Sequence, residues 1–244
     1  MADQRENQLN YGAGARGGVA IDEGLRAYML GVYNYMALGI AGTAIAVLAI
    51  ASSPALLETV FSLRWVFLIG MIAVGFFGPN MILNSRSTAM AHGAFWLYAA
   101  LWAAGITPMV ALYLNVAPNL VFQAFAITAA MFGGMSILGY TTKRDLTGIG
   151  QFAAMAIIGI FIAALVNIFF IGSIGFSMFV SVAFVLLIAA ITAWETQMIK
   201  NMYHEGDGGE IAKRKSIFGA FMLYGSFVAM FIHILQLLGF MNNE

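Results

Sequence analysis

The sequence predicts an all-α polytopic membrane protein, and three observations carry that prediction. Hydrophobic residues make up 61% of the 244 residues, charged residues make up only 9%, and the mean hydropathy is +0.88. A soluble domain is about 25% charged and about 45–50% apolar. The apolar residues also form runs of the length that a membrane-spanning helix needs, about 20 residues. This composition excludes a soluble globular domain and a disordered chain.

Charge and cysteine content exclude further classes of protein. The eleven basic and eleven acidic residues cancel, so no net charge attracts a polyanion and we expect no nucleic-acid partner. The chain has no cysteine. Disulfides, thiolate metal sites and a cysteine nucleophile are therefore excluded.

Residues 1–26 are predicted to form a polar cytoplasmic tail. Charged residues recur in this segment from Asp3 to Arg26. A signal peptide has a basic start, a short apolar core and a cleavage site, and the acidic residues here argue against one. We therefore divide the chain into this tail, a transmembrane domain over 27–241 and a short C-terminal tail, 242–244.

Seven apolar runs are predicted to span the membrane, and each ends at polar or turn-forming residues. In chain order, the breaks between them contain SSP with Glu58 and Arg64, NSRST, NVAPN, TTKRD, GSIG, and the polar run 200–216. The predicted spans are Ala27–Ser52, Trp65–Leu83, Ala91–Leu114, Leu120–Tyr140, Ile149–Ile171, Phe176–Ile199 and Ile217–Met241.

The break at GSIG is the weakest of these boundaries. Residues 149–199 contain little polarity and are too long for one span, so two spans must meet in a tight turn. Gly172 and Gly175 suit such a turn. Six spans plus a re-entrant segment is the alternative.

The basic residues predict the orientation, because lysine and arginine collect in cytoplasmic loops. With seven spans, every basic residue except Arg64 falls on the face that carries the N-terminal tail. We therefore expect a cytoplasmic N-terminus and a C-terminus outside.

Small residues spaced four apart predict close helix contacts within the bundle. Three such stripes occur: Gly42 with Ala46; Ala99 with Ala103 and Thr107; and Ala126 with Ala130 and Gly134.

Glu195 is the only acidic residue well inside a predicted span. Ionisable groups in a bilayer are costly and face a cavity or a partner. A carboxylate there can take up or release a cation or a proton, so Glu195 is our candidate for gating, for ion contact and, weakly, for a metal ligand. The alternative is an interfacial glutamate that reaches headgroup water.

Arg86, at the end of the second span, is the candidate counter-ion, unless it is an ordinary cytoplasmic anchor.

Two further polar residues are candidates for pH sensing or for lining a pore. His233 shares a helix face with Gln236, and histidine titrates near neutral pH; the alternative is a histidine that is satisfied within the bundle. Asn167 lies in the fifth span.

The sequence contains no hydrolase, phosphate-loop or zinc-protease motif. We therefore expect no enzyme and no cofactor, with calcium present only as a transported ion.

Four stretches of the chain carry a family resemblance: GYTTKRDLTGIGQF (139–152), AALWAAGITPM (99–109), AWETQMIK (193–200) and KSIFGAFMLYGSFVAMF (215–231). Together they resemble the Bax inhibitor-1 family, in a bacterial form. The resemblance implies a seven-helix bundle with a central helix that the others enclose. It also implies a multi-pass protein of the bacterial inner membrane.

The resemblance further implies a pH-sensitive calcium leak. In that scheme two carboxylates on the last two helices share a proton and close the path, and an arginine near the end of the second helix latches them. Glu195 matches the first carboxylate, Arg86 lies at or beside the latch position, and the second carboxylate position falls on Ser226. Because serine cannot share a proton as a carboxylate pair does, we expect a modified, pH-modulated leak for calcium or protons.

The same resemblance implies a rival function. Some bacterial relatives modulate a membrane-bound AAA protease, so the chain is alternatively a regulatory interaction protein that engages such a protease through its N-terminal tail. The lipid bilayer and cations are the partners expected under the first hypothesis.

Overall fold

The computed structural model describes residues 23–85 and 87–242, which form helices and short connections without a strand. Seven of the helices are long and apolar enough to cross a membrane, and this confirms seven spans over the six-span alternative. The helices are α1 (Glu23–Ala51), α2 (Pro54–Ser62), α3 (Arg64–Leu83), α4 (Thr88–Val116), α5 (Pro118–Thr141), α6 (Thr147–Ile171), α7 (Ile174–Asn201) and α8 (Gly209–Asn242).

Helix α8 is the centre of the bundle. It packs against α1, α3, α4, α5 and α7, and 67% of its apolar stretch is buried, compared with 6% for α6. Its side chains at Phe221, Leu223 and Tyr224 are almost fully buried. A helix that is apolar on every side can be surrounded in this way. The expected central helix is therefore confirmed.

The turn between α6 and α7 is as tight as the sequence requires. Helix α6 ends in a π-helical turn, Asn167–Ile171, and Gly172 follows with φ = 65°. This left-handed conformation favours glycine because it has no Cβ. Gly175 lies inside the first turn of α7 rather than in the connection, so of the two predicted glycines only Gly172 lies in the turn itself.

The short helix α2 was not predicted, since its segment was interpreted only as a break between spans. Ser53 begins it by accepting a hydrogen bond from the Leu56 backbone N–H, and Pro54 occupies its first turn. Proline is favoured there because the missing N–H would have no intrahelical partner.

Two of the small-residue stripes lie at helix contacts and one does not. Ala99, Ala103 and Thr107 are buried in α4, and a Cβ built on Gly42 would lie 3.0 Å from the Trp96 ring. The third stripe, Ala126, Ala130 and Gly134, is exposed along α5, so the predicted contact within the bundle is wrong there. Helix α5 buries a different face, with Ala124, Thr128, Phe132, Ser136 and Gly139.

One end of the bundle, which we call the basic end, contains the beginning of α1 as the structure describes it. The α3–α4, α5–α6 and α7–α8 connections lie at the same end. The Thr88 hydroxyl at the start of α4 donates to the Glu210 carboxylate at the start of α8, over 3.0 Å. Gly24 of α1 faces the Tyr203 ring in the α7–α8 connection. Among the described basic residues only Arg64 lies at the other end. The basic end holds Arg26, Lys143, Arg144, Lys200, Lys213, Arg214 and Lys215.

Candidate functional site

Glu195 and Ser226 form the centre of the candidate site. Glu195 is 4% exposed on α7 and is the only charged residue that is buried among the described residues. The Ser226 hydroxyl on the central helix donates a hydrogen bond of 2.7 Å to its Oε2. The structure therefore brings together two of the three residues predicted for gating.

The buried polar layer around Glu195 extends to α5. The Thr196 hydroxyl, next in the chain to Glu195, donates to the Ser136 hydroxyl on α5 over 3.4 Å. We call Glu195, Ser226, Thr196 and Ser136 the Glu195 cluster. All four side chains are at most 9% exposed, so three helices meet at one polar point inside an apolar bundle.

A tyrosine hydroxyl from α4 lies next to this layer. A Cβ built on Gly225, the residue before Ser226, would lie 2.9 Å from the Tyr98 hydroxyl oxygen. The Tyr98 ring also stacks on Phe221 with 4.2 Å between centroids. Because Gly225 has no side chain, the Tyr98 hydroxyl of α4 can lie directly beside the central helix.

Two of the motifs on which the resemblance depends are in contact with each other. Gln197, in AWETQMIK, accepts a hydrogen bond of 2.8 Å from the Leu146 backbone N–H. Its amide also donates one of 2.8 Å to the Arg144 carbonyl oxygen. The Lys200 ammonium group donates to the Tyr140 carbonyl oxygen over 2.7 Å. Residues two and five positions after Glu195 thus fix the α5–α6 connection.

Two of the three glycines of GYTTKRDLTGIG, Gly139 and Gly150, pack against the same segment of α7. A Cβ on Gly139 would meet the Ala193 carbonyl oxygen and lie 2.9 Å from its carbonyl carbon. A Cβ on Gly150 would overlap the Trp194 ring. Both positions need glycine because α5 and α6 approach α7 closely there, immediately before Glu195.

Asp145, which is exposed, stabilises the α5–α6 connection where it enters α6. Its carboxylate accepts a hydrogen bond of 2.9 Å from the Thr147 backbone N–H at the start of α6. Hydrogen bonds from the Thr147 side chain and backbone lower the pKa of Asp145, because they favour the charged carboxylate.

Arg86 lies outside the described residues, so its predicted pairing with Glu195 stays a prediction. The residue before it, Ser85, is buried, and its carbonyl oxygen accepts a hydrogen bond from the Arg214 guanidinium group of α8. The connection between α3 and α4 is therefore attached to the central helix. Sequence reasoning counted Arg214 only as a loop charge, and no local pattern reveals its contact with Ser85.

His233 lies away from the Glu195 cluster. Seven residues of helix, about 10 Å along the axis, separate it from Ser226. Its ring stacks on Phe184 with 4.2 Å between centroids, and its Nδ1 is 3.5 Å from the Ser181 hydroxyl. Ser181 also donates to Gln236 over 3.3 Å. His233 and Gln236 share a helix face as predicted, and they share one neighbour.

Asn167 lies at the end opposite to the basic end, in the α6–α7 turn. Its amide nitrogen donates to the Ser173 carbonyl oxygen over 3.1 Å and to the Ser177 hydroxyl over 2.7 Å. Its amide oxygen accepts from the Ser173 backbone N–H over 3.1 Å. The side chain thus joins the end of α6 to the start of α7.

The site offers few ligands for a tightly held metal ion. No group of three or more histidine, cysteine or acidic side chains with metal-site geometry occurs in the part of the chain that the structure describes. Calcium takes six to eight oxygen ligands. A single carboxylate with neighbouring hydroxyl groups suits brief contact with a passing cation or exchange of a proton.

Comparison with known proteins agrees with this architecture. The family model described as "Inhibitor of apoptosis-promoting Bax1" matches residues 25–243. A protein of Deinococcus radiodurans is 38% identical over 213 residues, which cover 87% of this chain and 90% of that protein. A protein of Rickettsia prowazekii is 36% identical over 222 residues, covering 89% and 91%. The inner membrane protein YbhL of Escherichia coli K12 is 36% identical over 222 residues, covering 88% and 92%.

Proposed function

We propose that this chain, which belongs to the Bax inhibitor-1 family, is a pH-modulated leak for cations, either calcium or protons. The observation that carries the proposal is the buried carboxylate of Glu195, hydrogen-bonded over 2.7 Å to Ser226 of the central helix. Acidic side chains inside membrane spans mark ion paths and proton relays. No other described residue places a charge inside the bundle.

The Ser226 hydroxyl can serve both protonation states of Glu195. It donates to the charged carboxylate, and it can accept a hydrogen bond once Glu195 is protonated. A cation that reaches Glu195 must compete with this hydroxyl for the carboxylate oxygen. We therefore assign the Glu195–Ser226 contact to the closed state and its separation to the conducting state.

One carboxylate gives a simpler pH response than two. A pair that shares a proton titrates in two coupled steps, whereas a single group titrates in one. The rate of cation entry should therefore follow the titration curve of a single group, with a Hill coefficient for protons close to one. Arg86, as predicted from the sequence, is the proposed counter-ion for the charged form.

We further propose that the basic end faces the cytoplasm of a bacterial inner membrane, because basic residues are retained on that side. The Escherichia coli relative is named an inner membrane protein, which supports the same location.

Liposomes that enclose a calcium dye or a pH dye test the proposal. We expect cation entry into vesicles that contain the purified wild-type protein, with a one-proton dependence between about pH 5 and 8, where functional carboxyl and imidazole groups titrate. Glu195→Gln should abolish that dependence and reduce entry at least tenfold. The matched control is Glu205→Gln, since Glu205 is exposed in the α7–α8 connection, and it should behave as wild type.

Two outcomes would count against the leak. The first is entry no faster than in protein-free vesicles at every pH and for both ions. The second is a Glu195→Gln protein with the flux and pH profile of the wild type, which would remove Glu195 from the ion path.

A further inference from the structure

A groove at the basic end separates the outer helices α1 and α5. Both helices pack against α8, and between them lies a cavity of about 610 Å³. This volume falls within the range of small-molecule sites, about 300–1,000 Å³. We call this cavity the α1–α5 groove.

The α1–α5 groove is charged at its mouth and apolar within. Arg26 of α1 and the Tyr140 ring of α5 line it near the basic end, and Tyr33 lines it deeper along α1. The Lys200 ammonium group lies 5.0 Å from the centroid of the Tyr140 ring, so a second positive charge flanks the mouth. No acidic side chain occurs among the described lining residues.

The depth of the groove matches one leaflet of a bilayer. Along α1 the lining runs from Arg26 to Tyr33, and along α5 from Tyr140 to Phe132. At 1.5 Å per residue these distances are about 10 and 12 Å, whereas half of the hydrocarbon core is about 15 Å. The Phe132 ring, 5.5 Å from the Phe227 ring of α8, closes the inner end.

We propose that the α1–α5 groove binds an anionic phospholipid of the leaflet at the basic end. The phosphate group lies at Arg26, on the side of the groove opposite Tyr140, and one acyl chain enters between α1 and α5 towards Phe132. Arginine suits the headgroup because its planar fork of N–H donors pairs with two phosphate oxygens. The Tyr140 ring at the mouth suits the membrane interface.

A second cavity, lined by α1, α4, α5 and α8, shows why the charged mouth matters. It has a volume of about 370 Å³, and its lining residues, such as Ile40, Val121 and Phe231, include no charged side chain among those described. The hydroxyl of its Thr43 is hydrogen-bonded to Tyr224 over 2.7 Å. This cavity can accept a hydrocarbon chain but offers nothing to a headgroup.

Neighbouring glycines on α5 provide a matched pair of variants. A Cβ built on Gly133 or on Gly134 meets no atom within 4 Å, so each position has room for a larger side chain. Gly133 lines the groove, whereas Gly134 is exposed outside it. Gly133→Leu should place a branched side chain in the path of the acyl chain, and Gly134→Leu should make the same change on the open face of the helix.

Native mass spectrometry of the full chain, released from detergent with phosphatidylglycerol or with phosphatidylcholine of the same acyl chains, tests the site. Wild type and Gly134→Leu should retain one phosphatidylglycerol in preference to phosphatidylcholine. Gly133→Leu should lose that retention. Arg26→Gln should keep the groove but lower the preference about fivefold, the loss expected for one basic residue near a membrane surface. Glycerol 3-phosphate, which has no acyl chain, should not displace the lipid.

Three results would overturn the proposal: equal retention by Gly133→Leu and Gly134→Leu, no headgroup preference in the wild type, or displacement by glycerol 3-phosphate. Arg26→Gln provides an independent test if Gly133→Leu does not fold. These measurements need no ion flux, so they stand or fall separately from the proposed leak.

Discussion

Among the residues that the structure describes, the Ser226 hydroxyl is the one group that joins the central helix to the buried carboxylate by a hydrogen bond. Removing one partner of a buried hydrogen bond leaves the other without its donor, at a cost of about 1–3 kcal/mol. Ser226→Ala should therefore lower the free energy of unfolding by about that amount. It should also raise cation entry in liposomes, because the contact assigned to the closed state is lost.

Detergent-unfolding curves and the dye assay measure these two effects. Ser62→Ala is the control, since the Ser62 hydroxyl is exposed and bonds only to the Thr59 carbonyl oxygen of its own helix. A Ser226→Ala protein with wild-type stability and wild-type entry would show that the hydrogen bond has no role in closure.

The Asn167 side chain has a different role, because all its bonds hold one turn. Asn167→Ala removes three hydrogen bonds with Ser173 and Ser177. We expect the free energy of unfolding to fall by about 1–3 kcal/mol, measured by thermal unfolding in detergent, and ion flux to stay unchanged in the folded protein. Reduced flux with unchanged stability would instead support the prediction that Asn167 lines a pore.

Helix α7 carries the polar site and is held by close contacts on both sides. Its residues Ala193 and Trp194 leave no space for a side chain at Gly139 of α5 or Gly150 of α6. Overpacking of such a contact typically costs about 1–3 kcal/mol. The position of Glu195 thus depends on glycines in two neighbouring helices.

Gly139→Ala should separate α5 from α7 and lower the melting temperature in detergent. The Ala193 backbone cannot rotate away as a side chain can, so we expect the full cost of overpacking, about 1–3 kcal/mol. Gly133→Ala, on the same helix with no atom within 4 Å, should be neutral or stabilising. Melting of both variants at the wild-type temperature would show that α5 and α7 are not in close contact at Gly139.

The sequence predicted the helices better than their contacts. The lengths of the apolar runs located all seven spans. Because residues 149–199 contain little polarity and are too long for one span, they had to contain a tight turn, and the structure has this turn at Gly172. The helix α2 was missed because nine residues are too few for the span criterion. The exposed stripe at Ala126, Ala130 and Gly134 was misjudged because small residues are tolerated at a lipid-facing surface as well as at a contact.

The candidate site was predictable only in part for a similar reason. Depth within a span identified Glu195 from the sequence alone, since a carboxylate there stands out chemically. Ser226 is an ordinary residue in an apolar helix, and only the family resemblance pointed to it. The hydrogen bonds of Gln197 join residues more than fifty positions apart in the chain, and helical periodicity does not reveal such pairs.

The bundle as a whole has one basic end, and its direction in the membrane can be measured directly. Because the chain contains no cysteine, single cysteines report the position of each end without background. Glu58→Cys on α2 and Glu205→Cys in the α7–α8 connection replace exposed residues at opposite ends. In intact spheroplasts, an impermeant maleimide should label the first and not the second, and lysis should expose both.

Labelling of Glu205→Cys alone in intact cells would reverse the proposed orientation. The proposed lipid site would then lie in the opposite leaflet, with its chemistry unchanged.

The position of α8 has a consequence for how the protein is made. Because α8 follows in the chain all the helices that surround it, the ribosome has synthesised every surrounding helix before the central one exists. At about 5–20 residues per second, the 34 residues of Gly209–Asn242 take roughly 2–7 s to synthesise. During part of that interval Glu195 has no Ser226 beside it, and the earlier helices are held only by their contacts with one another, such as those of α3 with α4 and of α5 with α7. A stop codon before residue 209 would therefore remove the central helix and leave five of the other helices without the partner against which they pack.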